Sequence, residues 1–356
     1  HLQQTLSSRI DAAMGRIPCD TVLRNARVLD VFSGRWFATD IAISGGWIVG
    51  LDPGYRGREE IDLAGKAVVP GFIDAHVHVE SSCMVPGSFE RSVLACGTTS
   101  AICDPHELAN VQGLSGIRYF LEASEKLRMN LFVQLSSCVP ATHLETNGGG
   151  TLSAADLLSL AGHQNALGLA EVMNVPGVLN GDPAVMEKIA AFTGRPIDGH
   201  APLVRGQALS AYACAGINSC HESSELGEAE EKMAKGIAVW IREGSVAKDL
   251  HELAPLLNSY SSASLGFCTD DRNPLDIARE GHIDHLVRES LKMGIAAETV
   301  YRSASWTVAR HYGLDRLSPA RPYRIGAVAP GYQADFLVLN DVQTCSIGAV
   351  YKAGVD

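Results

Sequence analysis

At 356 residues, with 46% hydrophobic content and 35 glycines, the chain is long enough for one large α/β domain plus a smaller one and too apolar for disorder. Its 40 acidic and 29 basic residues leave a formal charge of −11, which argues against a nucleic-acid or anionic-membrane surface, since both need a basic patch. No apolar stretch approaches the length of a membrane span and the start lacks a signal-peptide layout, so a soluble, cytoplasmic protein is expected.

Nine cysteines, an odd number mostly inside apolar runs and without a Cys-x-x-Cys pair, read as reduced buried thiols. The first residue is His1 and not Met, so part of the natural N-terminus is expected to be missing. Residues 7–15 predict a short helix ended by Pro18. Strand-like segments at 21–29, 36–44 and 47–51, separated by turn signals at Ser33-Gly34 and Gly45-Gly46, predict a small antiparallel β unit. The run 67–73 reads as one fully buried strand entered through the Pro70-Gly71 corner.

From Gly71 the pattern changes to short apolar strands alternating with longer helical stretches, which implies parallel βαβ units. The strands are expected at 72–76, 98–103, 131–136, 166–171, 196–200, 218–221, 238–241 and 264–270. Helical patterns fall at 113–126, 184–193, 207–215, 226–235 and 250–258, and later at 283–292 and 298–312. Eight strands in about 200 residues suits a (β/α)8 barrel of the TIM type. A doubly wound sheet is the structural alternative, but no Gly-x-Gly-x-x-Gly follows any strand. After the turn signal at 326–331, residues 334–339 predict a further strand. The expected organisation is therefore a barrel over 71–320, with residues 1–70 and 321–356 joining into a small β domain.

Several of these strands end in a potential metal ligand. The first ends in His76-Val77-His78, and side chains two apart on a strand share a face, so both imidazoles can reach one ion. The fourth delivers Glu171, the fifth His200, the sixth His221 and the eighth Asp270. Parallel barrels place their chemistry at these C-terminal strand ends. Any one histidine could be a satisfied structural group. Four histidines and two carboxylates at equivalent positions instead make a site for two borderline divalent ions, with one carboxylate able to bridge.

The segments 74–82, Asp104-Pro105-His106-Glu107, 168–174, 198–202, His221-Glu222-Ser223, 242–245 and Thr269-Asp270-Asp271-Arg272 resemble the amidohydrolase superfamily, and within it the adenine deaminases. That resemblance implies a metal-binding barrel with a β-sandwich made from both chain ends. It places His76 and His78 with Asp270 on the first ion, His200 and His221 on the second, and Glu171 between them, where many binuclear relatives carry a carboxylated lysine. It further implies hydrolytic deamination of adenine to hypoxanthine and ammonia, a hydroxide activated by the metals attacking C6, with Asp270 as proton shuttle. Asp104 and His106 become candidates to orient or protonate the purine. Glu80, Glu107 and Glu222 become candidates to contact it or to fix the tautomers of the histidines. Asp271 is expected to face away from Asp270, as consecutive strand residues do. The implied cofactors are two divalent ions, manganese or iron by resemblance, with zinc allowed by affinity order. The implied partners are a small purine and a second copy of the chain in a homodimer.

Adenine deaminases usually continue into a further C-terminal domain, whereas this sequence stops at Asp356, which leaves the finer substrate assignment open. The alternatives are a cyclic-amide hydrolase of the dihydroorotase or hydantoinase kind, another ring deaminase, or a metal-free scaffold relative. The last would show eroded ligands, and all six positions here carry usable groups.

Overall fold

The computed structural model describes residues 2–356. A helix at Leu2–Ala13 is followed by β1 (Cys19–Asp30), β2 (Arg35–Ser44), β3 (Trp47–Gly50), β4 (Gly57–Asp62) and β5 (Ala67–Pro70). The barrel strands are β6 (Phe72–Val77), β7 (Thr98–Cys103), β8 (Asn130–Leu135), β9 (Ala166–Val172), β10 (Ile197–Gly199), β11 (Ser219–Cys220), β12 (Ala238–Arg242) and β13 (Leu265–Cys268). Last come β14 (Phe336–Asp341) and β15 (Ser346–Tyr351). No helix among the described residues is long and apolar enough to cross a membrane.

The two chain ends meet in one seven-stranded sheet of order β15-β14-β5-β1-β2-β3, with β4 alongside β1. Leu23, Val28, Ile41 and Ile43 from the front of the chain and Phe336, Val338 and Tyr351 from its end fill a common core. The sheet is mixed rather than antiparallel, because β1 pairs antiparallel with β2 but parallel with both β4 and β5. One residue makes this possible. Asn25, at φ 55°, sits where the β1–β2 register breaks between Leu23 and Ala26, so one half of β1 runs beside β4 and the other beside β5. Strand β4 carried no sequence signal, since Arg58, Glu59 and Glu60 are all exposed and show no apolar alternation.

The expected single strand over 67–73 is two strands in two sheets. Gly71 donates its N–H to Asp335 O of the small domain, and the next residue, Phe72, donates to Gly97 O of the barrel. A Cβ at position 71 would lie 2.2 Å from Thr99 Oγ1, so only glycine lets the chain cross here. Hydropathy could not reveal the break because both halves are buried. The two domains are further tied by Lys352, whose Nζ donates to both Asp335 oxygens at 3.1 and 3.0 Å, and by Asn130 of β8, which donates to the same carboxylate at 3.2 Å.

Strands β6 to β13 form one parallel sheet in sequence order. It closes through a single parallel bridge between Val77 and Asp270, in which His78 N donates to Asp270 O at 2.9 Å and Asp270 N to His76 O at 3.0 Å. Buried Asp74 reinforces this seam by accepting from Thr269 N at 3.1 Å and from the Thr269 hydroxyl. The outer helices follow the apolar spacing. In Ile283–Lys292 the buried apolar positions are Ile283, Leu286, Val287 and Leu291, a stripe at three- and four-residue intervals. The helical pattern over 298–312 is divided into Ala297–Ser303 and Trp306–His311. Between them the Ala304 carbonyl accepts from Ile73 N at 2.9 Å, so that acceptor is shared with the barrel.

Candidate metal centre at the mouth of the barrel

All six sequence-derived ligands converge at the C-terminal end of the barrel. His76, His78, Glu171 and His221 are 1–4% exposed, and Asp270 is 9% exposed. His76 and His78 leave β6 with their Nε2 atoms 3.0 Å apart. Two such nitrogens in contact cannot both present a proton to each other, so at least one of them offers a lone pair, and both can do so once their protons are lost. Asp270 Oδ1 lies 3.6 Å from His76 Nε2 and 3.3 Å from His78 Nε2.

Glu171 stands between two groups of histidines. Its Oε1 faces His78 Nε2 at 3.1 Å, His106 Nδ1 at 3.2 Å and His76 Nε2 at 3.8 Å. Its Oε2 faces His200 Nδ1 at 2.6 Å and His221 Nε2 at 3.4 Å. Burial alone would raise the Glu171 carboxyl, but hydrogen bonds from His106, His200 and His78 outweigh it and hold the group well below the usual range. Burial likewise opposes the charged form of His78, yet the hydrogen bonds to Asp270 and Glu171 raise it well above the ordinary value. An ion entering this site must therefore displace protons.

Asp270 is not at the end of a strand. Strand β13 stops at Cys268, and Asp270 has a left-handed backbone at φ 57°. Strand alternation consequently does not govern Asp271, contrary to expectation. Its carboxylate accepts from Ser81 Oγ at the rim of the same site, close enough for the Asp270 and His78 charges to act on it.

The Asp104-Pro105-His106-Glu107 segment both opens the helix His106–Gln112 and lines the centre. Asp104 is buried, accepts from Ser136 Oγ at 2.6 Å, and lies 3.1 Å from His106 Nδ1. Glu107 Oε1 sits 2.9 Å from His106 Nε2, and its Oε2 is 3.5 Å from His78 Nδ1. Glu80 touches no histidine. It accepts from Leu108 N at 3.2 Å, and burial together with the Glu107 charge raises it to about 8, so it is protonated at neutral pH. Glu222 lies 3.7 Å from His200 Nδ1.

Three groups that the sequence did not single out for the site also reach it. Arg242, at the end of β12, donates to Glu222, to Asp270 Oδ2 at 3.3 Å and to Asp249 at 3.0 Å. A polar residue closing the seventh strand was the available signal. Cys138 Sγ lies 3.0 Å from His106 Nδ1, but burial pushes the thiol up to about 11, so it enters as a neutral group. Ser136, in the same loop, holds Asp104. Beside Cys138 opens a cavity of about 210 Å3 whose walls include His143, Met173 and Lys188.

The donors gather in overlapping sets, His76/His78/Asp270, His76/Glu171/His221, His78/Asp104/His106/Glu171 and His200/His221/Glu222, each compact enough to share one ion. Imidazole nitrogens and carboxylate oxygens with no ionised thiol suit divalent ions such as manganese, iron or zinc. Sharing of Glu171 and of three histidines between sets is the arrangement that two adjacent ions would use.

Comparisons with known proteins place the chain in a family. The adenine deaminase of Cereibacter sphaeroides is 52% identical over 355 residues, covering 99% of this chain and 61% of the relative. Adenine deaminase 1 of Agrobacterium fabrum is 48% identical over 354 residues, 99% of this chain and 60% of the relative. The chain thus spans about three fifths of the length of these curated relatives. Among solved structures, an N-acetyl-D-glucosamine-6-phosphate deacetylase from Mycobacterium smegmatis superposes with a TM-score of 0.66 at 16% identity, over 94% of this chain and 99% of the other. An enamidase superposes with a TM-score of 0.63 at 16% identity, over 94% of each chain. At that identity the structures speak for the fold alone. The model of the amidohydrolase family matches residues 67–355, and the chain belongs to that family.

Proposed function

We propose that this site deaminates adenine hydrolytically, giving hypoxanthine and ammonia. The observation that carries the reading is Glu171 facing histidines through both oxygens, which would let an unmodified carboxylate hold two ions, in a chain about half identical to proteins named adenine deaminase. We assign His76, His78 and Asp270 to one divalent ion, His200 and His221 to another and Glu171 to both, with manganese or iron as the ions. Bound there, the ions supply Lewis acidity that brings a water's pKa from about 16 down to about 7.

The residues of the chain do the proton work. Burial would raise the Asp270 carboxyl, but the hydrogen bond to His78 and the nearby histidine charges keep it far below the usual range, so it is ionised at neutral pH. Arg242 on its second oxygen fixes its orientation. In the reaction, water adds at C6 as N1 gains a proton; Asp270 takes one water proton and passes it to the exocyclic amine, which leaves as ammonia, and the remaining hydroxyl proton restores the donor to N1 as the C6 carbonyl forms. Burial would lower the His106 imidazole, yet the Asp104 carboxylate raises it well above the ordinary value. His106 is thereby a donor, placed to protonate or hold a ring nitrogen. Glu107 and protonated Glu80 form an acid pair beside it, and each has a buried oxygen, Oε2, with no hydrogen-bond partner. Those two atoms and Glu222 are the contacts we assign to the purine edge.

The test is ammonia release from adenine by manganese- or iron-loaded protein, with dihydroorotate and hydantoin in parallel. Release from adenine with about two ions per chain is the expected outcome. Ring opening of a cyclic amide without deamination of adenine would replace this reading.

A further inference from the structure

We propose that the opposite, N-terminal end of the barrel binds a phosphate-bearing small molecule. A cleft of about 700 Å3 opens there, where the chain enters β9, β10 and β11, and it lies within the range of ligand pockets. Its walls include Arg195, Arg310, Arg316 and Arg321, with His163 and His311, and no acidic residue. Four guanidinium groups in one cleft run against the overall balance of a chain of net charge −11. This face of a barrel ordinarily serves stability, and like charges gathered on it weaken stability, so the fold gives no account of them.

The carboxylates nearby do not neutralise the cleft. Asp315 lies 3.5 Å from Arg316, and Glu125 lies 3.1 Å from His163. Among the described residues no carboxylate comes within ion-pair distance of Arg195, Arg310 or Arg321. Arg310 rests on the Trp306 ring at 4.9 Å, and Arg321 donates one N–H to Gln164 O at 3.3 Å. Arg195 is near enough to Arg321 for their charges to repel.

A second observation is independent of charge. The wall of this cleft contains Arg321 Nε, His311 Nε2 and Asn218 Oδ1, each closed to water and without a hydrogen-bond partner. Buried polar atoms of this kind are rare, and three of the nine found among the described residues lie in the wall of this one cleft. A phosphoryl group matches the cleft because guanidinium forks meet its oxygens two at a time, and because it carries the opposite charge. The rest of the volume leaves room for the organic part of the molecule.

The experiment uses ribose 5-phosphate as the probe, a phosphate ester with no purine to draw it to the metal centre. Calorimetric titration of the metal-loaded chain is expected to show one saturable site, no binding of ribose itself, and no displacement by adenine. Arg195 and Arg310 are exposed, so Arg195→Gln/Arg310→Gln should fold and retain adenine turnover while weakening the probe by about tenfold or more. Arg195→Gln alone should give a smaller loss and serves if the double variant is unstable. Absence of saturable binding, an affinity unchanged in both variants, or competition by adenine would overturn the proposal. Capture of a glutamate-rich peptide in place of the phosphate ester would do the same and make the cleft a protein-docking surface.

Discussion

At the C-terminal end of the barrel, buried imidazoles alternate with carboxylates; at the N-terminal end, arginines gather with few acids between them. The difference explains why one end is closed and the other open. His76, His78, His221 and Glu171 tolerate 1–4% exposure because each faces an opposite charge or a shareable lone pair. Arg195, Arg310 and Arg316 have no comparable set of partners and remain exposed to water. Paired polarity can be buried, while polarity of one sign has to stay hydrated until something of the other sign arrives.

The sharpest way to break this comparison is at Asp270. Asp270→Asn keeps the size of the side chain and removes its charge and its ability to accept a proton, so kcat for adenine should fall by ~10²–10⁴-fold while stability changes little. Steady-state ammonia release and a urea titration of the same preparation measure the two effects. Loss of stability without loss of turnover would make Asp270 a structural partner of the seam at Val77.

Next in size is the seam between the domains. Lys352→Ala would leave Asp335 buried at 2% exposure with only Asn130 and the Ala353 N–H as donors. Removing one partner of a buried pair costs about 3–5 kcal/mol. The guanidinium midpoint should drop accordingly, with ions per chain unchanged. A variant that unfolds normally would place the Asp335 contact outside the cooperative core.

A pH dependence distinguishes the N-terminal end. Burial lowers His311 from 6.5 to about 4, so the native state disfavours its charged form. Above pH 6.5 the residue is neutral in both states and its site is fully stable. As pH falls, the unfolded chain binds the proton first, so up to about 3 kcal/mol is lost between pH 6.5 and 4, with no further loss below. Denaturant midpoints for the parent and for His311→Gln should converge over that interval. Parallel curves would mean that His311 accepts its proton in the native state.

The smallest expected effect is at Arg242. It touches Asp270 and Glu222 rather than an ion, so Arg242→Gln should weaken metal retention or turnover by about 10–100-fold. Elemental analysis after dialysis separates the two. A loss as large as that of Asp270→Asn would move Arg242 into contact with substrate.

Much of this was legible before the structure. The eight barrel strands fall within a few residues of their expected places because buried parallel strands are short apolar runs between helical periods. The six candidate ligands were legible as a set because the ends of barrel strands and the turns just beyond them are where a barrel keeps its chemistry, although Asp270 lies in such a turn and not on a strand. Strand β4 was not, since its residues are polar on both faces, and the division at Gly71 was not, since burial on either side hides the change of sheet.

By itself the sequence determined which residues are available: the His-x-His pair, the carboxylates and the periodicities that build a barrel are properties of local order along the chain. Only the tertiary structure decided which atoms meet. Asp270 reaches the histidines through a left-handed turn that closes the barrel against Val77, and Glu171 divides its two oxygens between histidines from four different strand ends. Arg195, Arg310 and Arg321, more than a hundred residues apart at the extremes, share one cleft for the same reason. Such contacts depend on closure and register across the whole sheet, and neither is encoded in any single segment.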